Sequence, residues 1–164
     1  MKHLRKVFIY IILVYLKTKK KIACEYQTFS FNLQIEKESK MKKKCILSLG
    51  SNEEAEKNMQ FMCQRLIEKF PGILLSKAVY TEPVDFFSEK HFLNRIAILE
   101  TEMNVEQIKT YLKDIEKECG RTETDKAQGI IRADIDLVQY GDAILKPKDI
   151  NRPDIRAGII ELQH

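Results

Sequence analysis

From Ile131 to Leu137 the chain alternates without a break: Ile131, Ala133, Ile135 and Leu137 are apolar, and Arg132, Asp134 and Asp136 stand between them. A strict period of two describes an extended strand with one face in a core and the other outside it. Arg132, Asp134 and Asp136 then project together, the two carboxylates roughly 6–7 Å apart. That spacing suits one or two magnesium ions, which take hard oxygen ligands and share one or two carboxylates with substrate phosphates. A solvated strand edge shows the same pattern, so the Asp-x-Asp pair alone does not choose between the two.

The residues before this strand supply its partners. Lys44 to Leu49 is a short β-rich run that ends in Gly50-Ser51-Asn52, where turn and helix-cap chemistry begins. Ala55, Met59, Met62, Cys63, Leu66 and Phe70 then recur at helical spacing until Pro71-Gly72 stops the run. Ile73 to Tyr80 reads as a second strand, broken by Thr81-Glu82-Pro83-Val84-Asp85 because proline cannot donate to a ladder. His91 to Glu100 reads as a third, with Phe92, Asn94, Ile96 and Ile98 on one face, after a loop that carries Phe86, Phe87 and His91. Asn104, with Gln107 three residues on, opens a second helix whose stripe is Val105, Ile108, Leu112, Ile115 and Cys119, closed by Gly120. Thr122 to Gly129 lacks periodicity and reads as a loop, Ile130 to Gln139 is the fourth strand, and a weakly patterned tail follows Tyr140-Gly141-Asp142.

The order β-α-β-β-α-β predicts an α+β, ferredoxin-like fold: a mostly antiparallel sheet with two helices on one face and the other face left for ligands. Three elements would then converge on one side of the sheet: Gly50-Ser51-Asn52, Asn94 with the loop before it, and the carboxylates of the fourth strand.

Composition narrows the function. With 44% hydrophobic and 32% charged residues, the 164-residue chain has the make-up of a soluble globular domain. The basic charge is local: residues 1–40 hold nine Lys/Arg and three Glu, whereas the other residues hold 19 basic and 21 acidic side chains. The body is therefore slightly acidic, and no nucleic-acid partner is expected. Val7 to Leu16 is an apolar run of ten between basic flanks, too short to span a bilayer as a helix. Three readings of residues 1–40 stand: a leader outside the fold with Met41 as the biological start, a surface anchor that would give membrane contact, or a secretory signal with a poor cleavage context. Cys24, Cys45, Cys63 and Cys119 lie far apart with no C-x-x-C pair, which points to reduced thiols in a cytoplasmic protein.

The chain contains no Walker glycines, no G-x-S-x-G elbow and no H-E-x-x-H, and His3, His91 and His164 are scattered. An enzyme built from these residues would work through metal, positioning and electrostatics rather than a covalent intermediate. Two carboxylates, basic residues at Arg121 and Arg132 and an aromatic-lined recess suit transfer of a phosphate-bearing group to a small planar acceptor.

Five short motifs in order, Leu47-Ser48-Leu49-Gly50-Ser51-Asn52, Tyr80-Thr81-Glu82-Pro83-Val84, Phe92-Leu93-Asn94, Ile115-Glu116 with Gly120-Arg121, and Asp134-Ile135-Asp136-Leu137, resemble 6-hydroxymethyl-7,8-dihydropterin pyrophosphokinase over about Lys43 to Tyr140. The resemblance implies a catalytic domain over 41–164 that transfers pyrophosphate from ATP to the hydroxymethyl group of a dihydropterin in folate synthesis. It implies Asp134 and Asp136 as ligands of two Mg²⁺ ions, Phe92 stacked on the pterin, Asn94 bonded to its polar edge, and Thr81 and Val84 contributing from the loop. Glu116 would lie beside the nucleotide, and Arg121 would belong to a loop that closes over the phosphates.

Departures from the family pattern qualify this. Ile131 stands where the family carries a phosphate-binding arginine, and Arg132, on the aspartate face of a regular strand, is expected to substitute. Gln128 lies near the place of an aromatic that covers the pterin, Pro153-Asp154 is the nearest approach to a proline-histidine pair, and the C-terminal part of the ATP site is expected to be reduced. Two further readings remain: a paralogue that binds a pterin or nucleotide without efficient turnover, and an unrelated ferredoxin-like module such as an RNA binder, which the acidic body and the lack of stacking aromatics on the outer strands disfavour.

Overall fold

A computed structural model describes residues 41–83, 90–122 and 124–163, together with Lys19. Lys42–His164 form one compact unit, and all that follows concerns it. The sequence readings of residues 1–40, and of Val84, Phe86 and Phe87, lie outside the described residues.

The elements are β1 Lys43–Ser51, α1 Ala55–Lys69, β2 Leu74–Leu75, β3 Val79–Thr81, β4 Phe92–Thr101, α2 Val105–Glu118, β5 Asp134–Tyr140, β6 Ala143–Ile144 and α3 Pro153–Glu161. The sheet order is β2-β4-β1-β5-β6, with β3 also on β4, and every pairing is antiparallel. This is the expected ferredoxin-like α+β arrangement. β1 is its spine, paired along its whole length with β4 and along most of it with β5.

Alternation divides the sheet into two faces. Cys45, Leu47 and Leu49 of β1, Leu93, Ala97 and Leu99 of β4, and Ile135 and Leu137 of β5 point at the helices and pack with Met62 and Leu66 of α1 and Ile108, Leu112 and Ile115 of α2. Burial drives the Cys45 thiol up to about 11, so that it is protonated at neutral pH.

α2 starts in the predicted capping box. The Gln107 N–H donates to Asn104 Oδ1 and the Asn104 N–H to Gln107 Oε1, each at 2.9 Å. It ends in a Schellman turn at Gly120, whose φ is +80°, with the Gly120 N–H on the Lys117 carbonyl and the Arg121 N–H on the Glu116 carbonyl.

The structure departs from the sequence reading in four places. The strand expected over Ile73–Tyr80 is two short strands: Leu75 pairs with Ala97 and Val79 with Asn94, so β3 gains one residue on its partner. Buried Ser76 fills the break, its N–H donating to the Ile96 carbonyl (2.9 Å) and its Oγ accepting the Ile96 N–H (3.0 Å).

The strand expected from Ile130 begins at Asp134, because Ser51 and Asn52 draw the backbone of 129–132 out of the ladder. The tail holds a helix, α3, with Pro153 preset at its first turn. The second face of the sheet is therefore only partly free: Ile155 of α3 packs on Ile46, Ile96, Ile98 and Val138.

α3 reaches the sheet through Gly158. A Cβ there would lie 2.6 Å from Ile96 Cγ1 and 3.0 Å from its Cβ, a β-branched side chain in the second core. Gly158→Ala should lower stability by about 1–3 kcal/mol by overpacking this contact, read as a lower urea midpoint at constant m-value. An unchanged midpoint would show that α3 can lift off the sheet at no cost.

Candidate active site

The half of the second face that α3 does not cover is polar. Ser48 and Gly50 of β1, Phe92 and Asn94 of β4, and Asp134 and Asp136 of β5 alternate with core residues on their own strands. Register sets them in rows: Gly50 pairs with Asn94 on one side and Asp134 on the other, and Ser48 pairs with Asp136. Asn94 and Asp134 thus face each other across one strand, about 10 Å apart at two strand spacings. These residues line a cavity of about 230 Å³, joined by Thr81 and Glu82 from the β3 end and by Asp149, Arg152 and Ile155 from the C-terminal segment.

Thr81, Phe92, Asn94, Asp134 and Asp136 therefore meet in one cavity. The Asn94 Nδ2 donates to Thr81 Oγ1 at 2.7 Å, which fixes the amide and leaves its oxygen toward Gly50. Glu82 accepts from His91 Nε2 at 2.7 Å when that nitrogen is protonated. Val84 lies outside the described residues.

The two aspartates carry cationic partners. Arg121 Nη1 lies 2.9 Å from Asp134 Oδ1, and Lys146 Nζ lies 3.1 Å from Asp136 Oδ1. Burial would lower the Arg121 pKa, but the Glu116 and Asp134 carboxylates outweigh it and hold the guanidinium above its ordinary value. The hydrogen bond to Asp136 likewise raises Lys146.

Glu116 does not line the cavity. It is 2% exposed, and its Oε1 accepts the Ile135 N–H at 3.0 Å while Oε2 takes Lys113 Nζ at 2.7 Å and Arg121 Nη1 at 2.6 Å. It is the buried post that ties α2 to the start of β5. Arg121, delivered by the Gly120 turn, transmits that anchorage to Asp134 and also donates to the Ala133 carbonyl.

Arg132 differs from the sequence reading. It precedes β5 instead of sharing the strand face of Asp134, and its Nε binds Asp125 Oδ2 at 3.1 Å. Hydrogen bonds from the hydroxyl and N–H of Thr122, with Arg132 behind them, hold the Asp125 carboxyl below the usual range. Ile131 is 8% exposed, and its backbone is held by Asn52, whose Oδ1 accepts the Ile131 N–H at 2.6 Å and whose N–H donates to the Ile131 carbonyl at 2.9 Å. Ser51 Oγ adds a bond to the Arg132 carbonyl at 2.7 Å. Ser51 and Asn52, expected near the ligand, are therefore the struts of the segment that leads into β5, and Gly50 alone of the three lines the cavity.

Sequence reasoning missed Lys146, Asp149 and Arg152. Only chain order and helix docking bring them to the site, and the tail that holds them has no periodicity to reveal it. Ser48 and Gly50 were legible in principle, since they alternate with Leu47 and Leu49.

Among the described residues no group of three or more His, Cys, Asp or Glu is placed to enclose a metal by itself. Two carboxylates from one strand opening on a cavity are instead the donor set of a cation that completes its shell with water and substrate phosphates, the ordinary habit of magnesium. The residues fit that ion.

Because Glu116 satisfies a backbone N–H and two cations in a buried position, Glu116→Ala should cost about 3 kcal/mol of stability. Glu116→Gln should cost less, both read from urea unfolding. Equal and negligible losses would show that the α2–β5 junction holds without it.

The family model for 7,8-dihydro-6-hydroxymethylpterin-pyrophosphokinase (HPPK) matches residues 46–161. That match runs past Tyr140, where the sequence motifs stop, and takes in α3. No individual curated protein matches the chain. A match over well more than half of the chain, on a ferredoxin-like fold, shows that the protein belongs to the HPPK family.

Proposed function

We propose that this protein transfers pyrophosphate from ATP to 6-hydroxymethyl-7,8-dihydropterin, the reaction of its family in folate synthesis. The observation that carries the reading is the placement of Asn94 and Phe92 on one side of Gly50 and the Asp134–Asp136 pair on the other, all open to one cavity. That arrangement supports a reading in which a planar acceptor and a phosphate chain bind side by side.

Phe92 offers a ring for stacking the pterin. Asn94, held by Thr81, offers a fixed amide for its polar edge, and Val84 is carried over from the resemblance alone. Asp134 and Asp136 would hold magnesium, two ions by the family pattern, which neutralises phosphate charge and polarises the phosphoryl oxygens when bound. Arg121, fixed by Glu116, keeps the Asp134 carboxylate in place and is a positioning residue.

The pterin hydroxymethyl oxygen attacks the β-phosphorus of ATP, and the bond from that phosphorus to the α,β-bridging oxygen breaks. AMP leaves with the bridging oxygen, the pterin keeps the β- and γ-phosphates, and the hydroxyl proton passes to solvent. The transfer is direct from ATP to the pterin, so the chain's contribution is alignment and charge.

Buried, protonated thiols at Cys45 and Cys63 fit a cytoplasmic setting. Among the described residues no helix is long and apolar enough to cross a membrane. The partners are small molecules, and membrane contact would arise only if residues 1–40 are a true leader.

Coupled AMP formation with Mg-ATP should depend on the added dihydropterin, stop when EDTA removes the metal, and fall by about 100-fold or more in Asp136→Asn. Binding of pterin or nucleotide without AMP formation would replace this reading with that of a binding paralogue. AMP formation that ignores the pterin would reject it.

A further inference from the structure

The cavity is short of positive charge. Among the described residues that line it, four are carboxylates, Glu82, Asp134, Asp136 and Asp149, and one is basic, Arg152. A polyphosphate bound at Asp134 and Asp136 through a cation needs a second counter-charge farther along its chain. Arg132, paired with Asp125, and Arg121, paired with Glu116, are not among the residues that line the cavity, and position 131 is a buried isoleucine.

We infer that Arg152 is the phosphate-binding arginine of this site, gripping the nucleotide's polyphosphate in the cavity it lines together with the aspartate pair. This assignment rests on the proposed function.

Three observations prepare Arg152 for that role. Asp154 clamps its guanidinium on one edge, Oδ1 to Nε at 3.1 Å and Oδ2 to Nη2 at 2.7 Å, and Nη1 has no partner among the described residues. The planar fork is thereby oriented before any ligand arrives. The backbone is fixed as well, the Arg152 N–H donating to the Asp149 carbonyl at 2.9 Å and the Arg156 N–H to the Arg152 carbonyl at 3.0 Å.

The next element is anchored behind it. Ile155, 1% exposed, sits among Ile46, Ile96, Ile98 and Val138, and Gly158 lets α3 lie against Ile96. The apolar half of the second face thus fixes the basic residue of the polar half. Asp154 stays a carboxylate ligand of Arg152 and not of the metal, since it is tied to the guanidinium and lies outside the cavity.

The test uses the full chain with Mg²⁺ and two probes, α,β-methylene-ATP and inorganic tripolyphosphate, with dihydropterin binding as the control. Arg152→Ala should weaken both phosphate probes by about tenfold to a hundredfold, the span of a charge-assisted hydrogen bond. It should raise KM for ATP and leave pterin affinity and KM within about twofold. Arg152→Lys, a point charge without the fork, should fall between, and Arg132→Ala should bind the probes as the wild type does.

Wild-type probe affinity in Arg152→Ala overturns the assignment and leaves the proposed reaction standing. A wild-type protein that binds neither probe overturns both. Should Arg152→Ala also lose the pterin, Arg152→Gln, which keeps the stem and a donor for Asp154, decides by the same criterion.

Discussion

Everything at the site depends on the pleat of β1. Because its side chains alternate, Cys45, Leu47 and Leu49 can bury themselves under α1 and α2 only if Ile46, Ser48 and Gly50 turn the other way. A slip of one residue would exchange the two sets, placing a serine and a glycine in the core and leucines in the cavity. The hydrophobic demand of the helix face therefore sets the register against β4 and β5, and register sets Asn94 and Asp134 on either side of Gly50.

The second face is then shared between packing and chemistry. Its apolar end, Ile46, Ile96, Ile98 and Val138, is sealed by α3, and its polar end stays open. The two ends are coupled mechanically, because the segment that seals one delivers Asp149 and Arg152 to the other. Away from the ligand, buried polar posts do the corresponding work for β5. Glu116 holds the Ile135 N–H and Arg121, and Ser51 with Asn52 holds the segment before the strand. These posts sit in a low-dielectric interior, where a fully satisfied network is stiff and a broken one is costly. Stiffness at that point keeps the Asp134–Asp136 pair in one geometry, as the proposed magnesium site would require.

Much of this was legible in the sequence, for definite reasons. The helix stripes from Met59 to Leu66 and from Ile108 to Ile115, the Asn104–Gln107 box and the glycine stop at 120 are local signals, and local energetics decide them. The alternation through Asp134 and Asp136 was equally plain. What failed was decided by tertiary contacts. Ser76 interrupts a strand through its bonds to Ile96. Asn52 and Ser51, some eighty residues away in sequence, pull Ile131 and Arg132 out of the ladder and hand the Arg132 guanidinium to Asp125. α3 has one fully buried isoleucine and a central glycine, so it carries little periodic signal, and its basic residue could not be placed without the sheet it lies on.

The central claim is spatial: pterin and phosphates lie side by side on the polar half of one sheet face, divided by Gly50. A crystal structure of the protein with Mg²⁺, α,β-methylene-ATP and the dihydropterin tests it most directly. The account predicts the pterin ring between Phe92 and Asn94 and the phosphate chain between the Asp134–Asp136 pair and Arg152. Ligand density elsewhere, such as the apolar groove between α1 and β4 lined by Met59, Ile67 and Leu93, with the Gly50 cavity empty, would contradict it.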